Sequence, residues 1–211
     1  MFAGINTDKG TFDYVTPEFS RQLWNIYPDA ISIHYKTIYP YDILISGDIF
    51  DDVKQVAANA FELSRSSVSS MAEEVKTAFE AVGGADFLHF VGYSGGGVAA
   101  SRVAEQLSDD GWGAYISSII RIGSPNLTIN MNYWGDRTTD IAHAWDALPL
   151  LNMPRSVGWS SGFEITKWML NLKGGISDAH TSYFRSDRDY TDKNGVTNLT
   201  KTVEKAIEYF K

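Results

Sequence analysis

Short apolar runs alternate along this chain with longer stretches in which apolar residues recur at helical spacing. Residues 30–35 (Ala30-Ile31-Ser32-Ile33-His34-Tyr35), bounded by Pro28 and Pro40, read as a strand. Residues 47–82 read as helix with a break near Ser66-Ser67. Val53, Val56, Ala57, Ala60, Phe61 and Leu63 give the apolar face of its first half, and Met71, Val75, Ala78 and Phe79 that of its second. Residues 87–91 are apolar throughout except for His89, as expected of a parallel strand covered on both faces. Helix is expected over 97–107, strand over 115–122, a shorter strand over 140–145, and a closing amphipathic helix over 197–210. Strands alternating with helices predict an α/β fold, a three-layer sandwich with a mostly parallel central sheet.

Two regions fit that alternation less well. In residues 148–177, Phe163, Trp168, Met169, Leu170 and Leu172 suggest a helix, but Gly158, Gly162, Gly174 and Gly175 interrupt it. The segment reads as an excursion from the sheet within a single domain spanning 1–211. At the start, Met1-Phe2-Ala3 followed by Gly4-Ile5-Asn6 reads as the last turn of a strand entering a glycine loop. That strand is either very short or cut at its start, as in a module excised from a longer chain.

Composition narrows the function. The 211 residues are 44% hydrophobic and 21% charged, which suits a folded globular chain. No apolar run reaches the ~18 residues of a membrane-spanning helix. A formal charge of −8 argues against nucleic acid and against an anionic membrane surface. It places no penalty on a neutral small substrate. The absence of cysteine removes disulfides, thiolate metal sites and a cysteine nucleophile. The N-terminus has no signal-peptide pattern, a state shared by cytoplasmic and mature secreted proteins, so the compartment stays open. No repeat or low-complexity tract is present.

Gly92-Tyr93-Ser94-Gly95-Gly96 has the G-x-S-x-G spacing of a nucleophile elbow. Such a serine sits on a sharp strand-to-helix turn, and the residues two before and two after it approach so closely that only small ones fit. A second match, Gly158-Trp159-Ser160-Ser161-Gly162, follows no strand and comes too late for an acid and a base to succeed it. Ser94 follows the buried run 87–91 and precedes a helix. The bland alternative is a glycine turn, and no phosphate-loop pattern accompanies it.

The base emerges by elimination among four histidines. His34 lies far upstream, His89 about 16 Å down the elbow strand, and His143 inside a later strand. His180 remains, in the polar loop Ser177-Asp178-Ala179-His180-Thr181-Ser182-Tyr183-Phe184. For the acid that orients the imidazole, Asp146 follows Ile141-Ala142-His143-Ala144-Trp145 at the sheet edge where open α/β folds build sites. Asp136, Asp140 and Asp178 are rivals. Asp140 begins its strand at the wrong edge, and Asp178 suits a turn.

Four segments in this order resemble the class 3 lipases and related small esterases of the α/β-hydrolase superfamily. They are the elbow at 91–97, Arg121-Ile122-Gly123-Ser124-Pro125, Trp145-Asp146-Ala147-Leu148-Pro149, and His180-Thr181-Ser182-Tyr183-Phe184. The resemblance runs from about Phe87 to Phe184 and implies a minimal α/β-hydrolase fold and a carboxylic ester hydrolase, with acyl lipids as one substrate class. The chain departs from the family in lacking its opening antiparallel strands, which favours plain ester hydrolysis over lipase action. The implied reaction uses Ser94, His180 and Asp146 through an acyl-enzyme, with the oxyanion held by the Gly95 amide and that of Ile5 or Asn6. It calls for no metal or cofactor, and activity is expected to fall as acid protonates the imidazole. The apolar excursion at 148–177 corresponds to the lid of related enzymes. Tyr39, Tyr41, Trp134, Trp159 and Trp168 fall in segments able to overhang the site, although packing against the sheet explains each one alone. Thioesterase, acyltransferase and peptidase chemistry use the same triad and stay open, as does a non-catalytic module on the same fold. Oligomeric state is not encoded legibly.

Overall fold

The computed structural model describes residues 1–4, 15–28, 38, 65–124, 136–143, 146, 163–164, 170, 172 and 178–210. Its sheet holds four parallel strands in chain order: β1 (Leu88–Tyr93), β2 (Ile116–Ile122), β3 (Thr138–Ile141) and β4 (Phe163–Glu164). On the other side of β1, Phe2 forms parallel bridges to both Gly92 and Ile38. The Phe2 amide donates to Val91 O at 2.7 Å, and the Tyr93 amide to Phe2 O at 3.0 Å. The opening residues therefore flank the elbow strand, and β1 lies inside the sheet. The expected strand at 30–35 falls outside the described residues.

Four helices accompany the strands: α1 (Val15–Ile26), α2 (Arg65–Ala81), α3 (Gly95–Leu107) and α4 (Asn198–Ile207). Ser66 and Ser67 lie in the first turn of α2, and the residues before Arg65, from which the expected break would separate them, lie outside the described residues. The first half of the helix expected over 47–82 lies outside the described residues. α3 starts two residues earlier than periodicity suggests, because Gly95 and Gly96 already belong to it. α4 is capped by Thr197, whose hydroxyl accepts the Thr200 amide at 3.1 Å.

Alternate strand residues feed two apolar clusters. Val91, Ile120, Ile122 and Ile141 pack with Val15, Phe19 and Leu23 of α1 and with Leu199, Val203, Ala206 and Ile207 of α4. Phe90, Ile116 and Ile119 pack with Val68, Met71 and Ala72 of α2 and with Ala99, Ala100, Val103, Ala104 and Leu107 of α3. Strict alternation would put Ile116 with Ile120. A bulge moves it: Leu88 faces Ile116 but His89 faces Ser118, so Ser117 is the extra residue. Each such aliphatic side chain contributes about 2 kcal/mol on burial.

Two expectations need correction. The strand expected at 140–145 is Thr138–Ile141, shifted toward the N-terminus. Thr138 to Ile141 pair with Ile119 to Ile122, and then the His143 amide leaves the ladder to donate to the Tyr183 hydroxyl at 2.6 Å. Asp140 is consequently mid-strand rather than first. The segment 148–177, read as an excursion, returns to the sheet at Phe163–Glu164, which pairs with Asp140 and Ile141. An unpaired β3 would expose a row of backbone donors and acceptors, which this pairing partly covers. Leu170 is buried in the α1–α4 cluster; apart from Phe163, Glu164, Leu170 and Leu172, the segment lies outside the described residues. No helix among the described residues is long and apolar enough to cross a membrane.

Candidate active site

β1 ends at Tyr93 and α3 begins at Gly95, so Ser94 alone makes the turn between them. Its backbone sits at φ 54° and ψ −130°, and no other described non-glycine residue has positive φ. Such a conformation costs on the order of 1–3 kcal/mol and persists only where neighbours enforce it. Here they do: the Ser94 amide donates to Ile122 O at 2.9 Å, and the Gly97 amide to Ser94 O at 3.0 Å. The flanking glycines are dictated by space. A Cβ on Gly92 would collide with Gly96 O and lie 2.5 Å from Gly97 Cα, and one on Gly96 would strike the backbone of Phe2 and lie 2.5 Å from Ala3 O. The elbow spacing is thus a packing requirement between β1, α3 and the opening residues.

The Ser94 hydroxyl lies 3.1 Å from His180 Nε2, and His180 Nδ1 lies 3.0 Å from Asp146 Oδ2. An ionised carboxylate only accepts hydrogen bonds, so Nδ1 carries the imidazole proton and Nε2 offers its lone pair to the seryl O–H. Asp146 is buried, whereas the His180 side chain keeps 17% of its surface exposed. The three residues come from the end of β1, from five residues beyond β3, and from a turn ahead of α4. All lie at the C-terminal ends of the strands, where open parallel sheets build sites.

Two tyrosines complete the arrangement, and sequence reasoning did not single them out. The Tyr183 hydroxyl donates to Asp146 Oδ2 at 2.9 Å and accepts the His143 amide at 2.6 Å. The amide can only donate, which leaves the phenolic proton for the carboxylate. Burial, then the Asp146 charge, pushes the phenol well above its ordinary range and keeps that proton in place. Tyr93 lies nearly parallel to the His180 ring, with centroids 5.3 Å apart at 17°, and its hydroxyl donates to His180 O at 2.5 Å. Gly123, at φ +53°, backs the acid: a Cβ there would fall 2.9 Å from Asp146 Oδ2 and from Tyr183 Cε2.

The other candidates have separate places. His89 stacks on Phe210 at 4.5 Å and shares a 2.8 Å hydrogen bond with Ser118 Oγ. His143 is buried behind Asp146, and burial pushes its imidazole below the ordinary range against the pull of that carboxylate. Asp140 holds Arg121 through two hydrogen bonds of 2.6 and 2.5 Å. Asp178 accepts the Thr181 amide at its carbonyl and the Thr181 hydroxyl at its carboxylate. Asp136 is exposed in the turn before β3. Gly95 opens α3 beside the seryl hydroxyl. Ile5 and Asn6, the expected second oxyanion donors, lie outside the described residues, as do His34, Ser160, Tyr39, Tyr41, Trp134, Trp159 and Trp168. The early loop reaches Ser94 nonetheless, for a Cβ on Gly4 would stand 3.0 Å from Ser94 Cβ. Among the described residues no group of His, Asp or Glu is arranged to hold a metal ion.

No protein-family model matches the chain. Neither the curated proteins nor the solved structures searched return a match.

Proposed function

We propose that this chain is a serine hydrolase of carboxylic esters, built on a minimal α/β-hydrolase fold with a three-layer arrangement. The observation that carries the reading is the unbroken hydrogen-bonded series from Asp146 through His180 to a Ser94 hydroxyl held on a strained turn. As Ser94 Oγ bonds to the ester carbonyl carbon, His180 Nε2 takes its proton. The negative charge that gathers on the former carbonyl oxygen meets the Gly95 amide and the N-terminal dipole of α3, with Ile5 or Asn6 supplying the second donor. Collapse breaks the bond to the alcohol, which leaves with the proton from Nε2. Water then repeats the sequence on the acyl-serine, releasing the acid and restoring the hydroxyl. Asp146 keeps the imidazole in the productive tautomer and stabilises its cationic form.

The test is labelling by a fluorophosphonate probe, alongside hydrolysis of nitrophenyl esters of graded chain length. The wild-type chain should label once and Ser94→Ala not at all; labelling that survives Ser94→Ala moves the nucleophile elsewhere, with Ser160 the first suspect. A rate that climbs with acyl length assigns the substrate to acyl lipids, whereas a preference for acetyl assigns a small esterase. Thioester and amide analogues in the same panel separate the remaining acyl-transfer chemistries.

A further inference from the structure

His180 has no helix or strand to hold it. Its turn is closed locally by the contacts of Thr181 with Asp178 and of the Ser182 hydroxyl with Ala179 O, yet its ring must stay within hydrogen-bond reach of a hydroxyl 86 residues away. The residue bonded covalently to that serine touches it twice, through its ring and its hydroxyl. We propose that Tyr93 is a positioning residue that fixes the distance between the nucleophile and its base, an inference that rests on the hydrolase reading above.

Tyr93 is well placed for this because its own backbone does not move. It is the last residue of β1, paired with Ile122 on one side and donating its amide to Phe2 O on the other. From that fixed point the side chain makes two attachments. The hydroxyl ties down the His180 carbonyl, and the ring lies flat against the imidazole. Phe184 and Tyr183 brace the phenol edge-on, at 5.3 Å and 5.9 Å, so it cannot swing away. The ruler is one peptide bond plus one side chain long, and both ends belong to the reacting pair.

The stacking has a chemical consequence as well. When the imidazole takes the seryl proton it becomes a cation over an electron-rich face, within the ~6 Å range of cation–π attraction. Among the described residues it also meets the Asp146 carboxylate, the Ser94 hydroxyl and the Tyr183 ring edge at 6.4 Å; Asp178 is on its own turn. Removing the ring therefore takes away a face that steadies the transient imidazolium while leaving Asp146 in place.

Tyr93→Leu and Tyr93→Phe separate the two attachments. Tyr93→Leu should lower kcat by about 100-fold, the scale of a misplaced reacting group, while KM changes by less than about threefold. Tyr93→Phe keeps the ring and the packing, so its kcat should fall only about fivefold, from the lost tie, and KM should stay unchanged. Tyr93→Leu with wild-type kcat overturns the proposal. Should Tyr93→Leu fail to fold, as judged by circular dichroism, Tyr93→Phe decides: unchanged kcat overturns the proposal. A wild-type chain that neither labels nor hydrolyses esters removes the hydrolase reading and this one together. An active wild type with indifferent Tyr93 variants removes this one alone.

Discussion

Ser94 holds a conformation that glycine adopts freely and serine does not, which concentrates backbone strain at a single residue. Replacing it with alanine removes the hydroxyl but keeps the strain; replacing it with glycine removes both. Ser94→Gly should therefore be more stable than Ser94→Ala by about 1 kcal/mol, the excess of relieved strain over glycine's extra chain entropy. Urea denaturation of the two variants measures this. Equal midpoints would mean that the turn carries no strain worth relieving. The same steric pressure explains why this turn was legible in the sequence: collisions around Gly92 and Gly96 force a fixed five-residue pattern. His180 and Asp146 were nameable from chain order and from the scarcity of histidine. Tyr93 and Tyr183 were not, because their partners lie 87 and 37 residues away and no local spacing encodes such contacts.

Between elements, the Arg121–Asp140 pair shows how a carboxylate on a site-bearing sheet can serve structure alone. Arg121 is opposite Asp140 in the β2–β3 register, and its buried guanidinium donates two hydrogen bonds to that carboxylate. Asp140→Asn removes the negative member of this buried ion pair and should destabilise the fold by about 3 kcal/mol. Its folded molecules should still label at Ser94 at the wild-type rate, whereas Asp146→Asn should lose nearly all of that rate. Labelling kinetics, normalised to the folded fraction from a thermal melt, distinguish the two. A slow Asp140→Asn would place that carboxylate in the chemistry. Element boundaries were less legible than residues. β3 was expected two residues late because its pairing is set by β2, and its exit is set by a bond from His143 to Tyr183. α1 went unremarked although Val15, Phe19 and Leu23 recur every fourth residue on its buried face. β4 pairs through two residues, too few for any alternation to show.

At the scale of the whole molecule, His89 links parts that are remote in the chain. Its ring lies between the strand pair, where Ser118 shares its hydrogen bond, and the C-terminus, where Phe210 stacks on it at 4.5 Å. Phe210 in turn stacks on Phe19 of α1 at 6.3 Å. Burial lowers the imidazole from 6.5 to about 4, so the folded chain refuses a proton that the unfolded chain binds. Between those two pH values unfolding takes up that proton, and stability rises with pH. Acidification from about 6.5 toward 4 should therefore cost about 1.4 kcal/mol per unit, on the order of 3 kcal/mol in all. Below that range the folded form binds the proton as well and this contribution stops changing. The expected mechanism of loss is release of Phe210 from the stack, freeing the C-terminal end from β1. His89→Asn carries no titrating ring, so its urea midpoint should fall less steeply with acid than that of the wild type, the difference opening between pH 6.5 and 4. Parallel curves would show that the histidine is already hydrated in the folded chain, and that acid acts on carboxylates elsewhere.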